Sequence, residues 1–246
     1  MNTIPIVEIF GPSIQGEGPN VGARCIFVRV KGCSFRCKWC DSAFTWNDHE
    51  SEVRYYAPEE LAHHLIEMCK MHNCKHVVLT GGNPCIYDFS EVVQQLACSR
   101  VQVDVETQGD FFPDWLIYIN TIVLSPKAPS SGMPDTYEKI VDYISNELGE
   151  ESEVAIKIPV FDKLDIEFAR KYAQFASRYN LIHNKQIRLY LSVGNSDVSE
   201  TGSIRDRVLS DYETLLNTIN EKPEDFQNVY LLPQLHTLVW GNKQGV

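Results

Sequence analysis

The sequence predicts an α/β fold, a partial, open TIM-like α/β barrel with about six parallel strands. Runs of branched and aromatic residues with strand character alternate along the chain with segments of helical spacing. This alternation implies parallel strands joined by crossover helices, and the near-continuous apolar strands indicate a sheet covered on both faces. The 246 residues fall in the range of single α/β barrels and no clear linker interrupts the series, so residues 1–246 are predicted to form one domain.

The first predicted unit is a strand followed by a long helix. The strand covers residues 24–30, where Arg-Cys-Ile-Phe-Val-Arg-Val is rich in branched and apolar side chains. A helix is predicted over 58–72 because Leu61 and Leu65 recur on one face. Pro58 suits the first helical position, where no backbone N–H is needed.

The remaining units repeat this pattern to the end of the chain. The predicted pairs are strand 76–80 with helix 90–98, strand 101–106 with the short apolar helix 114–119, strand 121–124 with a helix capped by Asp135 or Thr136, strand 154–161 with helix 164–178, and strand 187–193 with helix 204–219. A last strand is predicted at 228–232. Residues 195–205 are rich in small and polar side chains and are predicted to form a surface excursion.

The charge balance and the cysteine content limit the partners and the compartment. A net charge of −11, from 22 Lys and Arg against 33 Asp and Glu, argues against nucleic acid as the main partner, because phosphate binding needs clustered basic residues. No apolar run is long enough for a membrane span, and the first twenty residues lack the basic start of a signal peptide. Eight cysteines, three of them crowded together, indicate a reducing, cytoplasmic location rather than a disulfide framework.

The most informative motif is a triplet of cysteines. Cys33, Cys37 and Cys40 lie in Gly-Cys-Ser-Phe-Arg-Cys-Lys-Trp-Cys, with the spacing C-x3-C-x2-C. Three thiolates hold three irons of a [4Fe-4S] cluster and leave the fourth iron open, whereas clusters that only carry electrons use four thiolates. The alternatives are a zinc site with a histidine such as His49 as fourth ligand, or three unlinked cysteines. Zinc ligands usually come as two pairs separated by a longer loop, so the cluster is favoured.

Polar residues follow most of the predicted strands, at the barrel end where the chemistry of such folds is found. They are Thr80-Gly81-Gly82-Asn83-Pro84, Glu106-Thr107-Gln108-Gly109, Ser125-Pro126-Lys127, Gly194-Asn195 and Gln234-Leu235-His236. Each segment alone has the composition of an ordinary turn. Together with the cysteine loop they predict one functional rim.

A glycine-rich segment, Phe10-Gly11-Pro12-Ser13-Ile14-Gln15-Gly16-Glu17-Gly18, precedes the first predicted strand. It lacks the Gly-Lys-Ser/Thr sequence and the following helix of a phosphate-binding loop. Gln15 and Glu17 supply donors and acceptors suited to the edge of a flat heterocycle, and Arg29 suits a carboxylate in fork geometry. These residues predict a small, polar, anionic substrate.

The cysteine triplet resembles that of the radical S-adenosylmethionine family, in which the amino and carboxylate groups of the cofactor chelate the open iron. Gly81-Gly82-Asn83-Pro84 is similar to the family's Gly-Gly-Glu-Pro motif, which meets the cofactor's amino group, although Asn83 replaces the glutamate. The resemblance implies cofactor contacts from Trp39, Asp41, Gly82, Ser125, Pro126 and Lys127. For Lys127 the alternative is a solvated lysine that happens to follow a strand.

Within that family, almost the whole chain is similar to the 7-carboxy-7-deazaguanine synthases, in the form with a short, uninterrupted cluster loop. The motifs are Ile-Phe-Gly-Pro-Ser-Ile-Gln-Gly-Glu-Gly, Asp-Ser-Ala-Phe-Thr-Trp after the last cysteine, Glu-Thr-Gln-Gly, Ser-Pro-Lys and Leu-Pro-Gln-Leu-His-Thr-Leu-Val-Trp-Gly-Asn-Lys. The resemblance implies conversion of 6-carboxy-5,6,7,8-tetrahydropterin to 7-carboxy-7-deazaguanine, a radical ring contraction that releases ammonia and leads to queuosine. It also implies a [4Fe-4S] cluster, S-adenosylmethionine and Mg2+, a flavodoxin or ferredoxin as electron donor, and a homodimer.

The same resemblance implies roles for individual residues. The substrate contacts would be Ile14, Gln15, Gly16, Glu17, Arg29, Thr80 and His236. Ser42 would be the protein ligand of Mg2+, with waters and substrate oxygens completing the octahedron. Without the resemblance, a helix or turn cap after Asp41 is the favoured role for Ser42. Two rival functions remain open, namely a glycyl-radical-enzyme activase and an iron-sulfur electron carrier without enzymatic activity.

Overall fold

The computed structural model describes residues 3–47, 52–149, 151–195, 197, 202, 204–243 and 245–246. These residues contain nine strands, which form one sheet. The strands are β1 (Ile4–Ile14), β2 (Arg24–Val30), β3 (Arg54–Tyr56), β4 (His76–Gly81), β5 (Gln102–Thr107), β6 (Thr121–Leu124), β7 (Glu153–Val160), β8 (Arg188–Val193) and β9 (Val229–Leu232). Their order across the sheet is β3-β1-β2-β4-β5-β6-β7-β8-β9.

The central strands form the open α/β barrel that the sequence predicts. From β2 to β9, skipping β3, each strand pairs in parallel with the next, while β1 pairs antiparallel with both β2 and β3. Within the described part of the chain, β3 and β9 lie at the two edges and the sheet stays open. Parallel strands share one direction, so their carboxyl ends meet at one rim, where loops from distant parts of the sequence come together.

The same described residues contain six α-helices. Five lie in the connections between the parallel strands, the connection from β5 to β6 has a 3-10 helix instead, and one short helix follows the last strand. The α-helices are α1 (Pro58–Met71), α2 (Ser90–Cys98), α3 (Tyr137–Asn146), α4 (Lys163–Ile182), α5 (Ile204–Asn220) and α6 (Leu235–Trp240). Pro58 is the first residue of α1, as predicted. α4 begins one residue earlier than predicted because Asp162 accepts hydrogen bonds from the backbone N–H groups of Leu164 and Asp165.

Alternate residues of each strand face opposite sides of the sheet, and this divides the core from the barrel interior. On β7, Val154, Ile156 and Ile158 are buried in the main hydrophobic core, which also includes residues of α4. Lys157, between Ile156 and Ile158 in sequence, points into the barrel interior instead. The barrel interior is therefore where the buried polar residues of the strands collect.

The structure differs from the sequence-based prediction in two strands and two helices. β1 and β3 are not among the predicted strands; the second half of β1 contains Gly11, Pro12 and Ser13, which are typical of a loop, and its pairing with β2 has two irregularities. The predicted helix 114–119 is a 3-10 helix over Asp114–Tyr118, and α6 follows the last strand where no helix is predicted. His49 and most of the predicted surface excursion at 195–205 lie outside the described residues.

None of the helices among the described residues has the length and apolar character needed to cross a lipid bilayer.

Candidate active site

A cavity of about 210 Å³ opens at the carboxyl ends of the parallel strands. Every site residue predicted from the sequence lines this cavity except Pro126, which is buried next to it. The lining residues come from strands β1, β2, β4, β5 and β7, from the segments that follow β1, β2 and β4 to β8, from the first turn of α6, and from positions 243, 245 and 246. The structure thus brings together residues that are more than 200 positions apart in the chain.

The cysteine triplet occupies one wall of the cavity. Cys33, Cys37 and Cys40 are free thiols of intermediate exposure. Backbone bonds hold the loop that carries them: the Gly32 N–H donates to the Thr45 carbonyl at 2.8 Å, and the Lys38 N–H donates to the Ser131 carbonyl at 3.1 Å. The thiols therefore sit on a loop fixed at both ends and face a common space.

Two side-chain N–H groups point at the sulfurs of this triplet. Gln108 Nε2 lies 3.6 Å from Cys33 Sγ, and Trp46 Nε1 lies 3.5 Å from Cys40 Sγ. Donors of this kind stabilise negative charge on the sulfur of a cluster ligand. Burial raises the pKa of Cys37 to about 11, although Lys127 acts in the opposite direction. The thiol is protonated at neutral pH, and it must release its proton when iron binds.

The donor set suits a cluster rather than a single ion. Among the described residues, no three side chains of His, Cys, Asp or Glu form a group that could hold one metal ion. A [4Fe-4S] cluster instead places each thiolate on a different iron, so its ligands are spread around a larger body. Three thiols lining one cavity, with N–H donors beside two of them, fit such a cluster.

The turn after β4 approaches the cysteine loop very closely at Gly82. The Gly82 N–H donates to the Val30 carbonyl at 3.1 Å, and the Asn83 N–H donates to the Gly32 carbonyl at 2.8 Å. A Cβ atom on Gly82 would lie 1.7 Å from the Gly32 carbonyl oxygen. Glycine is required here because two backbone segments touch.

Asn83, which takes the place of the motif glutamate, is fully buried and makes structural contacts. Its Oδ1 accepts from the Cys85 N–H and from the Thr107 hydroxyl, and its Nδ2 donates to Asp110 Oδ1 at 2.9 Å. The described residues that line the cavity do not include Asn83. In this chain the position therefore stabilises the turn that carries Gly82.

An aromatic and basic group forms the wall next to the triplet. The indole of Trp39 stacks on Phe161 with a centroid separation of 4.7 Å, and its Nε1 donates to Ser130 Oγ at 2.9 Å. Lys127 Nζ lies 5.9 Å from the centroid of Trp39 and donates to Ser125 Oγ at 2.9 Å. Lys127 is thus tied into the wall by two contacts rather than being a freely solvated side chain.

Arg29 and Ser42 form a polar chain on the opposite side of the cysteine loop. The Nε atom of Arg29 pairs with Glu8 Oε1 at 2.8 Å, and its Nη1 donates to Ser42 Oγ at 2.7 Å. The Ser42 hydroxyl in turn donates to Asp41 Oδ1 at 3.0 Å. Ser42 precedes a 3-10 helix over Ala43–Thr45 but its hydroxyl makes no capping bond there. The hydroxyl therefore faces Arg29 and Asp41, not the helix.

A buried ion-pair network forms the floor of the cavity. Lys157 Nζ donates to Glu17 Oε2 at 2.9 Å and lies 3.8 Å from Glu106 Oε1. Glu17 Oε1 also accepts from Ser192 Oγ at 3.2 Å and from Gln234 Nε2 at 3.3 Å. The side chains of Lys157 and Glu17 are 8% and 11% exposed.

This network keeps both partners charged. Burial opposes ionisation of Glu17, but the charges of Lys157 and His236 and the hydrogen bonds from Lys157 and Gln234 outweigh it and lower the pKa of Glu17 to about 2. Burial likewise opposes the charge of Lys157, and the carboxylates of Glu106 and Glu17 raise the pKa of the lysine above its usual value. Glu17 therefore presents a carboxylate to the cavity at any physiological pH.

His236 lines the cavity beside the segment after β1. The Leu235 N–H donates to the Gly16 carbonyl at 3.0 Å, which docks the start of α6 on the segment after β1. A Cβ atom on Gly16 would lie 2.1 Å from His236 Nδ1, so the imidazole rests directly against the Gly16 backbone. The absence of a side chain at Gly16 makes this contact possible.

The sequence does not predict Lys157 as part of this site, and it places Glu106 and Gln234 on the functional rim without an individual role. All three residues line the cavity and contact predicted substrate residues. A signal for Lys157 exists in the sequence, because it is the one charged residue within the apolar run Val-Ala-Ile-Lys-Ile-Pro-Val. A lysine buried at such a position needs a partner, and this requirement marks it as part of a polar site. Val246 also lines the cavity.

Comparison with known proteins identifies the family to which the chain belongs. A family model described as a 4Fe-4S single cluster domain matches residues 14–109. Proteins named 7-carboxy-7-deazaguanine synthase are similar along the whole chain: the one from Bacillus cereus is 37% identical and covers 100% of both chains, and the one from Bacillus subtilis is 37% identical over 99% of this chain and 98% of its own.

Solved structures share the fold. QueE from Escherichia coli aligns with a TM-score of 0.67 over 95% of both chains at 22% identity. Streptococcus suis SuiB, solved with bound S-adenosylmethionine, aligns with a TM-score of 0.54 at 15% identity over 84% of this chain and 47% of that chain. The similarity to the two Bacillus proteins extends over essentially complete chains. The chain belongs to the 7-carboxy-7-deazaguanine synthase family of radical S-adenosylmethionine enzymes.

Proposed function

We propose that this chain converts 6-carboxy-5,6,7,8-tetrahydropterin to 7-carboxy-7-deazaguanine with release of ammonia, a step toward queuosine. The observation that carries the proposal is that one cavity contains both the cysteine triplet and a set of side chains suited to a carboxylated pterin. The cysteine triplet alone, or the substrate-binding side chains alone, would fit other functions. Their presence in the same space fits an enzyme that performs radical chemistry on a small anionic heterocycle.

The pterin half of the site follows from the charges on its walls. Glu17 is ionised and its two oxygens accept hydrogen bonds, so it suits the N–H groups of an aminopyrimidine edge. Arg29 is the cation suited to the substrate carboxylate, through the guanidinium nitrogens not engaged by Glu8. Ile14, Gln15, Gly16, Thr80 and His236 complete the proposed substrate site.

The cofactor half consists of the triplet and the wall beside it. Cys33, Cys37 and Cys40 would hold a [4Fe-4S] cluster, and Trp39, Asp41, Gly82, Ser125, Pro126 and Lys127 would surround S-adenosylmethionine. When bound, the reduced cluster and S-adenosylmethionine supply the radical that removes a hydrogen atom from the substrate. The protein contributes a fixed loop and N–H donors to the thiolates.

Mg2+ is proposed to bind beside Ser42. The hydroxyl of Ser42 and the carboxylate of Asp41 lie 3.0 Å apart and both line the cavity, which gives an oxygen donor set of the kind this ion prefers. In the structure, Arg29 Nη1 donates a hydrogen bond to Ser42 Oγ, so this bond has to break when Mg2+ binds to that oxygen. Two protein oxygens leave room for waters and substrate oxygens, as Mg2+ requires.

The test is anaerobic reconstitution with iron and sulfide, followed by incubation with S-adenosylmethionine, a chemical reductant, Mg2+ and 6-carboxytetrahydropterin. We expect 7-carboxy-7-deazaguanine and ammonia in equal amounts. Cys37→Ala is the control that removes a cluster ligand, and Cys98→Ala removes an exposed thiol outside the cavity. Product is expected with Cys98→Ala and not with Cys37→Ala.

The same experiment separates the rival functions. A glycyl-radical activase would cleave S-adenosylmethionine but leave the pterin unchanged. An electron carrier would be reduced and reoxidised without consuming either compound. If the reconstituted wild-type protein binds S-adenosylmethionine and does not alter the pterin with Mg2+ present, the proposed substrate is wrong.

The remaining proposals concern assembly and context. We propose a single domain over residues 1–246, a homodimer, reduction by flavodoxin or ferredoxin, and a cytoplasmic location. One continuous sheet supports the single domain and predicts a single calorimetric unfolding transition. Sedimentation at several protein concentrations tests the dimer, and turnover with each purified electron donor in place of the chemical reductant tests the donor.

A further inference from the structure

Three of the proposed substrate residues are held by two side chains that have no individual role in the predicted site. Gln15, Glu17 and Thr80 line the cavity, and each is held in place by Glu106 or Lys157. The two holding residues lie on β5 and β7, deep in the barrel interior. This arrangement separates residues that face the substrate from residues that fix their orientation.

Glu106 orients Gln15 and Thr80. Its Oε1 accepts from Gln15 Nε2 at 3.1 Å, and its Oε2 accepts from the Thr80 hydroxyl at 3.0 Å. Gln15 Oε1 in turn accepts from the Glu17 N–H at 3.3 Å. The amide of Gln15 therefore has one favourable orientation, because flipping it would bring its oxygen against the carboxylate of Glu106.

Lys157 orients the third substrate residue, Glu17. Its ammonium group lies between two carboxylates, 2.9 Å from Glu17 and 3.8 Å from Glu106. Both carboxylates would repel each other without this cation, since they share one buried space. Lys157 thereby holds the position of Glu17 and links it to the group that orients Gln15 and Thr80.

We infer that Lys157 and Glu106 are positioning residues for the substrate: Lys157 holds Glu17 as a fixed carboxylate acceptor, and Glu106 fixes the Gln15 amide and the Thr80 hydroxyl. The inference rests on the proposed function, in which Glu17 binds the aminopyrimidine edge of the pterin. Neither residue needs to touch the substrate for this role.

The inference predicts a pH dependence that a purely structural role would not produce. The titratable groups around Glu17 are Lys157 from β7 and His236 from α6, with Glu106 from β5 on the other side of the Lys157 ammonium group. Without Lys157, burial and the negative charge of Glu106 both favour the protonated form of Glu17. The pKa of Glu17 then rises, so the acceptor is lost progressively as the pH falls through the raised value.

The experiment measures the dissociation constant of 6-carboxytetrahydropterin from the anaerobically reconstituted enzyme with S-adenosylmethionine, between pH 6 and pH 9. Wild type is expected to bind with little change across this range. Lys157→Met is expected to bind about tenfold more weakly or worse, with the largest loss at the acidic end. Lys157→Arg is the matched control, because it keeps the cation, and it is expected to restore the flat profile.

A second variant covers the case in which Lys157→Met fails to fold. Glu106→Gln keeps the shape of the side chain but presents an N–H to one of its two donors, so Gln15 or Thr80 loses its partner. This variant is expected to raise KM with a smaller change in kcat, because it disturbs binding before the chemical step. Unchanged KM in Glu106→Gln would remove the role assigned to Glu106.

Two outcomes separate the failure of this inference from the failure of the proposed function. If wild type does not bind the pterin at all, the proposed function is wrong and the inference falls with it. If wild type binds the pterin and Lys157→Met binds it within twofold of wild type at every pH, the inference is wrong while the proposed function stands. Carboxyl 13C NMR of the cluster-free chain, with Glu17→Gln for assignment, checks directly whether Glu17 titrates at higher pH in Lys157→Met.

Discussion

Replacement of Gly82 by alanine tests the contact that joins the turn after β4 to the cysteine loop. The new Cβ atom would lie 1.7 Å from the Gly32 carbonyl oxygen and 2.5 Å from its carbon, whereas ordinary contact begins at 3.4 Å. Both neighbours are backbone atoms, so no side chain is able to rotate away. The two segments must therefore move apart by more than about an ångström.

The cost follows from the hydrogen bonds that this movement breaks. The Gly82 N–H to Val30 carbonyl bond and the Asn83 N–H to Gly32 carbonyl bond both cross the contact. Losing two backbone bonds at a partly buried position costs about 2–4 kcal/mol in the free energy of unfolding. For a chain of 246 residues this corresponds to a fall in Tm of roughly 5–15 °C.

The assay is thermal unfolding of the cluster-free chain under reducing conditions, together with iron content after reconstitution. Gly202→Ala is the matched control, because a Cβ atom there meets nothing within 4 Å. We expect the control to melt within about 2 °C of wild type and to bind a full complement of iron. If Gly82→Ala also melts within about 2 °C of wild type and binds iron fully, the close approach has no structural importance and the reasoning is refuted.

Three further predictions concern single side chains of the site. Gln108→Leu removes the N–H donor 3.6 Å from Cys33 Sγ and is expected to lower the reduction potential of the cluster, measured by EPR-monitored titration; an unchanged potential would mean that the contact does not act on the thiolate. Ser42→Ala is expected to lower turnover mainly by weakening the Mg2+ response, so an unaltered Mg2+ titration would remove Ser42 as a ligand. The folded pKa of Glu17, about 2, lies below the ordinary value of 4.5, so its ionisation stabilises the fold above pH 4.5 by about 3 kcal/mol, and this stability is lost as the pH falls toward 2. Urea unfolding of wild type and Glu17→Gln at pH 3 and pH 6 checks this prediction, and an equal loss of stability in both would contradict it.

The sequence predicts the parallel part of the fold well because local signals and the global fold agree there. The run at 24–30 is predicted as a strand and is β2, and Pro58 begins α1 where its fixed φ angle suits the first turn. The cysteine spacing is equally local, since three ligands within eight residues need no tertiary information. Such features depend on near neighbours and are visible in one stretch of sequence.

The parts that escaped prediction depend on contacts between distant residues. β1 is a strand because β2 and β3 pair with it, although its second half contains Gly11, Pro12 and Ser13, which are typical of a loop. Lys157 and Glu17 are 140 positions apart, so no local pattern reveals that they form an ion pair. The barrel topology brings them together, and the burial of both charges explains why each needs the other.

The central claim is that one cavity holds the cluster and the pterin side by side. Its most direct test is an anaerobic crystal structure of the reconstituted protein with S-adenosylmethionine and 6-carboxytetrahydropterin. We expect a cluster bound by Cys33, Cys37 and Cys40, with the pterin ring edge at Glu17 and its carboxylate at Arg29. A cluster held by other residues, or a pterin bound outside this cavity, would contradict the claim.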